Sequence, residues 1–224
     1  MFDFICELKI LFVPLSQEIY KNMWKNYFNT FVLSVLAGFM ISFGGIVYLM
    51  CTNKIVGSLL FSFGLLTIVC QEFALYTGRI GYFKTYGFWS ILTTIIGNFI
   101  GTYIIGTLIQ LTRLPLIDTI KPIVEAKLID DPCSFFLLSI GCGAMMYLAV
   151  DNFKKSKAWF FVVLPIMIFI LSGFEHSIAN MFYFSLANEW GTLAIIQTII
   201  AIVGNGVGSW IINKTNFLIQ DNND

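Results

Sequence analysis

The ten residues LSGFEHSIAN, numbers 171–180, lie in the middle of an apolar run that extends from residue 159 to residue 187. A helix needs about 20 mostly apolar residues to cross the hydrocarbon core of a bilayer, so this run is too long for one straight span. Gly173, Glu175 and His176 fall at its centre. A break at that depth frees backbone groups that lipid cannot satisfy, and it therefore belongs against protein or a cavity. Ionisable side chains there are costly, and they mark a pathway or an internal pair. The stretch predicts a broken helix within a membrane protein, with polar groups gathered at the break.

The composition agrees. Of 224 residues, 58% are hydrophobic and 12% charged, with 23 Phe and a mean hydropathy of +0.82. Soluble domains carry roughly 25% charged residues, and a chain this short has too little interior to hide so much apolar surface. The same figures exclude a disordered chain, a coiled coil and a nucleic-acid binder. Thirteen basic residues balance thirteen acidic ones, so net charge points to no partner.

The fold expected is an all-α integral membrane protein with spans at 28–50, 56–78, 88–111, 133–150, 159–187 and 192–213. The second ends in QEFALYTGRIG (71–81), where polar residues and glycines follow an apolar run. Gly97-Asn98-Phe99-Ile100-Gly101 in the third span is echoed by Gly204-Asn205-Gly206-Val207-Gly208 in the sixth. Each half then has three spans with a broken second member (the second and fifth helices). An odd number makes the halves face opposite ways, a plan that builds a transport site at the midplane. The glycine pairs have a simpler reading as close helix packing.

Phe4, Leu8, Leu11, Phe12 and Leu15 recur at helical spacing before the first span, with Pro14 as a kink, and suggest an interfacial helix over residues 1–26. Residues 27–215 form the membrane domain and 216–224 a short tail. Residues 112–132 are the longest non-spanning stretch, with one short helix expected around 119–129. The acidic start at Asp3 and Glu7 lacks the basic n-region of a cleaved signal peptide. With both termini inside, the inner segments carry Lys9, Lys21, Lys25, Arg79, Lys84, Lys154, Lys155, Lys157 and Lys214. The outer ones carry Lys54, Arg113, Lys121 and Lys127. The bias agrees with the positive-inside rule. The cysteines Cys6, Cys51, Cys70, Cys133 and Cys142 have no metal-ligand spacing, and one His in the chain makes a multi-histidine site impossible. No metal or cofactor is expected.

A neutral His can donate from one ring nitrogen and accept at the other, so His176 either holds a small anion, exchanges a proton with it, or closes the helix break. Glu175 needs a basic or amide partner at that depth. Thr77 offers a hydroxyl and Gly78 permits a turn at the first break, where Leu75 and Tyr76 are bulky enough to constrict. Plain packing accounts for that string equally well. Asn98 and Asn205 can satisfy backbone groups freed at the breaks. Lys127 reads as a loop charge. The chain has no phosphate-cradling loop, carboxylate pair or Ser-His-Asp set, so an enzyme is the poorest reading.

At GFEHSIANM, residues 173–181, the chain resembles the formate/nitrite transporter family, and the two Gly-Asn segments, Gly38 to Gly45, Leu75-Tyr76-Thr77-Gly78, Lys127 and Tyr147-Leu148-Ala149-Val150 extend the resemblance over about 25–215. It implies a pentamer of aquaporin-like protomers, each with its own pore for a small monovalent anion such as formate, nitrite or hydrosulfide. It implies His176 at the pore centre with Thr77 beside it, constrictions at Leu75 and Tyr76 and near Phe174, and Lys127 with Glu175 as the anion-attracting residue and its acid. Gly173 and Gly78 would open the breaks. Three positions depart from the family pattern: Gly143 replaces an Asn, Ala74 an acid, and the segment between Thr77 and Gly97 is shortened, with Arg79 directly after the turn. These departures leave two alternatives to an anion pathway, a water or neutral-solute pore and a scaffold or sensor without transport.

Overall fold

The computed structural model describes the backbone of residues 2–221 and the side chains of residue 23 and residues 25–215. Helix α1 (Phe2–Met50) is followed by α2 (Lys54–Cys70), the single turn α3 (Tyr76–Arg79) and α4 (Phe83–Gln110). Then come α5 (Leu116–Ile129), α6 (Pro132–Ser156), α7 (Phe160–Leu171), α8 (Ser177–Ala187) and α9 (Thr192–Asp221). Among the described residues, four stretches are long and apolar enough to cross a bilayer: Lys25–Met50, Tyr76–Gln110, Pro132–Ser156 and Thr192–Thr215. Two shorter apolar helices, α2 and α7, accompany them. The chain is an all-α multi-pass membrane protein. The amphipathic face expected over residues 1–26 and the tail expected over 216–224 fall largely on side chains outside the described residues.

The two expected breaks are present and are built alike. Helix α2 closes with Phe73 N–H donating to the Ile68 carbonyl (2.9 Å) across Glu72, whose φ is 56°. Helix α7 closes with Phe174 N–H donating to the Phe169 carbonyl (3.0 Å) across Gly173, with φ 70°. A left-handed residue at this point lets the chain turn back and satisfy the helix's last carbonyls. Beyond each turn the chain is extended for three residues and then starts a new helix at Tyr76 or Ser177.

Those extended residues carry backbone groups that lipid cannot serve, and two asparagines serve them. Asn98 accepts from Tyr76 N–H (2.9 Å) and donates to the Ala74 and Ser34 carbonyls (both 2.8 Å). Asn205 accepts from Ser177 N–H (2.9 Å) and donates to the Glu175 and Ser139 carbonyls (both 2.8 Å). Each amide thus uses its acceptor and both donors, and each ties a break to two long helices. Both are fully buried.

Close packing brings those helices within reach. Gly101 lies against the Val35 carbonyl and Gly38 against that of Asn98, joining α1 to α4. Gly208 and Gly143 do the same between α6 and α9, against Ile140 and Asn205. The glycines therefore have the packing role, and the asparagines between them have the bonding role.

Two elements differ from expectation. Helix α6 continues to Ser156 rather than ending at 150, because Asp151 is paired with Lys155 (2.7 Å) and with the Tyr82 hydroxyl (2.8 Å). Lys157 in the left-handed region then terminates it. The helix expected at 119–129 begins earlier, at Leu116, whose side chain is buried with Ile120 and Val124 on one face. The shortening after Thr77 is also visible. Tyr76 and Asn98 are 22 residues apart, whereas the corresponding Ser177 and Asn205 are 28 apart. Helix α3 is four residues long against eleven for α8, and after a tight turn over Ile80–Tyr82 the next helix is kinked at Gly87.

Candidate functional site at the two helix breaks

His176 is the residue just before α8, so its backbone is extended (φ −98°, ψ 115°) and its side chain points back over the helix start. Its Nδ1 accepts from the Ala179 N–H (3.1 Å), one of the donors a helix N-terminus leaves unpaired. A nitrogen that accepts carries no proton, so the neutral ring bears its hydrogen on Nε2. Nε2 lies 3.0 Å from the Thr77 hydroxyl oxygen. Thr77 can accept that hydrogen and turn its own outward. Both residues are buried, and the pair joins the two breaks across 99 residues of chain.

Leu75 is the first-half counterpart of His176, since each immediately precedes the residue whose N–H the asparagine holds. Tyr76 points away, its hydroxyl donating to the Ile202 carbonyl (2.8 Å). Of the two bulky residues at the first break, Leu75 lines a cavity and Tyr76 lines neither of the two described next.

One cavity, of about 320 Å³, is lined by His176, Lys127, Glu175, Phe174, Gly173 and Phe61 among others. Glu175 is bound by the Lys127 ammonium (2.5 Å) and by the Asn180 amide (2.8 Å). Lys127 comes from the last turn of α5, and Gln197 holds that turn by donating to the Lys127 and Asp130 carbonyls (3.2 and 3.0 Å). A second cavity, of about 420 Å³, is lined by Leu75, Gly78 and Arg79, by Leu65, Ile68 and Val69 at the end of α2, and by Glu72 and Phe73 just beyond it. The first contains Lys54 and Phe61 from the beginning of the same helix. The cavities thus lie toward opposite ends of α2, with the His176–Thr77 pair at the break between them.

Sequence reasoning did not single out the aromatic wall. Phe169 stacks on the His176 ring with centroids 5.7 Å apart, and Phe61 meets Phe169 edge-on at 6.2 Å. Phenylalanines are spread over the whole chain, and nothing in their spacing distinguishes these two. Asn180 stood in the opening stretch without an assigned partner. Its amide donates to Glu175 in the absence of an Asn at position 143. That position has no room for one, because any Cβ on Gly143 would overlap the Asn205 backbone. Gly143→Asn is expected to destabilise the protein by about 1–3 kcal/mol through overpacking. Thermal unfolding of the detergent-solubilised protein measures it, and an unchanged midpoint would contradict the packing argument.

The model of the family described as formate/nitrite transporter matches residues 12–217. The chain belongs to the formate/nitrite transporter family. This is a family of transporters, not enzymes. Among its relatives, the formate channel FocA of Escherichia coli (strain K12) is 27% identical over 212 residues, covering 81% of this chain and 73% of that one. The uncharacterized transporter YrhG of Bacillus subtilis (strain 168) is 28% identical over 184 residues, covering 70% and 67%. A solved FNT family ion channel superposes with a TM-score of 0.78 at 20% identity, covering 91% of this chain and 94% of that one. A second structure, described as a pentameric formate channel with formate bound, gives 0.68 at 21%, covering 88% and 96%. The family match contains both breaks and both asparagines.

Proposed function

We propose that the chain conducts a small monovalent weak-acid anion, of the size of formate, nitrite or hydrosulfide, across the cell membrane. The observation that carries this reading is the His176–Thr77 pair, buried between two cavities, in which Nε2–H donates to Thr77 and leaves the Thr77 hydroxyl hydrogen free to donate. Kinship with formate channels supports the substrate class. The architecture proposed is six spans in two inverted halves, α1 to α4 and α6 to α9, with α2/α3 and α7/α8 as broken members. The three passes per half and the matching asparagine bonds support it. Both termini face the cytoplasm, as the distribution of Lys and Arg favours. Five copies assemble, as the pentameric relative does, and each copy carries a pore of its own.

Lys127 raises the local concentration of anions through its field, while Glu175, itself held by the Asn180 amide, keeps the ammonium in place. Phe174, Phe61 and Phe169 narrow the path on this side, and Leu75 narrows it on the other. Tyr76 supports Leu75 from behind through its bond to Ile202. A hydrated ion does not pass such walls cheaply. Beside them, the Thr77 hydroxyl, oriented and polarised by His176 Nε2–H, replaces part of the anion's hydration. The anion then crosses Leu75 as its neutral acid, with the proton taken from solvent. His176 does not supply it by charging, because a second ring proton on Nδ1 would remove the cap on Ala179 N–H. Gly173 and Gly78 open the breaks, and Asn98 and Asn205 hold them.

Stopped-flow flux into proteoliposomes tests this with formate, nitrite, hydrosulfide and lactate at acidic and neutral pH. Saturable uptake of one of them is expected. Its pH profile should move with the permeant's own acidity, and a profile fixed at one pH for all permeants would contradict the neutral-histidine account. Osmotic swelling without anion flux would favour a neutral-solute pore, and no flux of any kind a scaffold.

Removing one member of the ion pair has a defined result. Lys127→Gln leaves a buried carboxylate with its amide partner alone, which costs about 3 kcal/mol, and flux at low salt falls. The double variant Lys127→Gln/Glu175→Gln recovers most of the stability but not the flux. Equal melting of the single and double variants would argue against the pair.

A further inference from the structure

The 420 Å³ cavity holds more charge than a path for monovalent anions requires. Arg79, Lys154 and Lys157 line it together with one acid, Glu72. Among the described residues none of the three cations has a carboxylate within ion-pair distance. Asp151, on the same stretch of α6 as Lys154, is taken by Lys155 and Tyr82. Aromatic faces hold the cations instead: Arg79 lies 4.7 Å from the Tyr86 ring centre, Lys154 3.8 Å from that of Tyr82, and Lys157 5.8 Å from that of Phe153. Rings attract a cation without neutralising it. Three cations against one acid leave the lining with a surplus of two positive charges.

We infer that this cavity binds a small dianion, such as hydrogen phosphate, sulfate or a short dicarboxylate, and that the bound dianion closes the path at Leu75. The charge matches a dianion, whereas a monovalent anion leaves half of the surplus standing. The volume also exceeds what a formate-sized ion fills. A dianion cannot follow the permeant through, because two charges would have to be stripped of water at the apolar wall that Leu75 begins. It stays where the cations are. Arg79 stands two residues beyond Thr77, at the last position of α3, where the chain turns at once.

The blocking effect rests on the anion-pathway reading, but the binding does not, and the two are measured separately. Calorimetric titration of the full-length protein in zwitterionic detergent uses sulfate as probe, with chloride at matched ionic strength as control. Saturable sulfate binding is expected, weakened roughly tenfold or more in Arg79→Asn and Lys154→Gln and strengthened in Glu72→Gln. The opposite sign of the last variant cannot come from misfolding. Formate flux into proteoliposomes is then measured with sulfate or chloride on both sides, each variant normalised to its own flux without sulfate. Inhibition by sulfate alone, shifted in the same order as the calorimetric affinities, is the expected result. If the wild type shows no flux of any anion, the anion-pathway reading fails while the calorimetry still decides the site. Sulfate binding no stronger than chloride, or indifferent to Arg79 and Glu72, would overturn the inference. So would loss of the sulfate response when phosphatidylglycerol replaces part of a phosphatidylcholine bilayer, which would make a lipid headgroup the occupant.

Discussion

Replacing His176 by Phe is expected to reduce anion flux by one to two orders of magnitude in proteoliposomes, with the oligomer intact. In the proposed pathway the imidazole orients and polarises the Thr77 hydroxyl that donates to the anion, and a hydrogen bond to a charged group contributes about 1.5–3 kcal/mol. The same substitution removes the side-chain acceptor for Ala179 N–H, a loss of about 1 kcal/mol. That loss alone does not unfold a helix whose every residue is buried. His176→Asn separates the two effects, because Asn is a good helix cap and its amide also donates. It should melt like the parent and conduct at an intermediate rate. Parental flux in H176F at both acidic and neutral pH would remove His176 from the pathway.

The largest effect on stability belongs to Asn205. Asn205→Leu strands Ser177 N–H and the Glu175 carbonyl and removes the tie to the Ser139 carbonyl of α6. Each unsatisfied buried group costs about 1–3 kcal/mol, and water cannot replace the lost partner at this depth. A total on the order of 3–6 kcal/mol is expected, since neighbouring losses do not add fully. Asn205→Asp keeps the acceptor but turns a buried carboxylate oxygen toward the Ser139 and Glu175 carbonyls, so it should destabilise at least as much. Thermal unfolding in detergent, followed by circular dichroism and by size-exclusion profile, ranks the three. Asn98→Leu should behave alike, because it holds the same bonds in the first half. An N205L protein that melts with the parent would show that the break is held by something else.

Much of this was legible in the residues, for reasons that differ from place to place. The broken run around LSGFEHSIAN could be read because polar residues inside an apolar stretch have few physical outcomes. The Gly-Asn repeats could be read as packing and backbone support because small residues and an amide have few other uses in lipid. The extension of α6 to Ser156 was missed, because its cause is a contact with Tyr82, 69 residues earlier in the chain. The aromatic wall of Phe61 and Phe169 was missed because its members are alike in sequence to many other phenylalanines. Tyr76 was grouped with Leu75 as a constriction; the Tyr76 hydroxyl turns to the Ile202 carbonyl, while Leu75 lines the 420 Å³ cavity.

What the sequence determined by itself is the solvent and the class of fold: composition and hydropathy dictate a helical membrane protein, since lipid leaves the backbone few ways to be satisfied. It also marked the two breaks, because glycine and ionisable residues at that depth are expensive anywhere else. Tertiary structure decided which groups meet there. Thr77 and His176 are 99 residues apart and come within 3.0 Å only because two asparagines tie both breaks to their long helices. The tautomer of His176 depends on the Ala179 N–H, which is free to be capped only once α8 has formed. The charge left over around Arg79 is likewise a property of the fold, because it depends on which neighbouring carboxylates have already been taken.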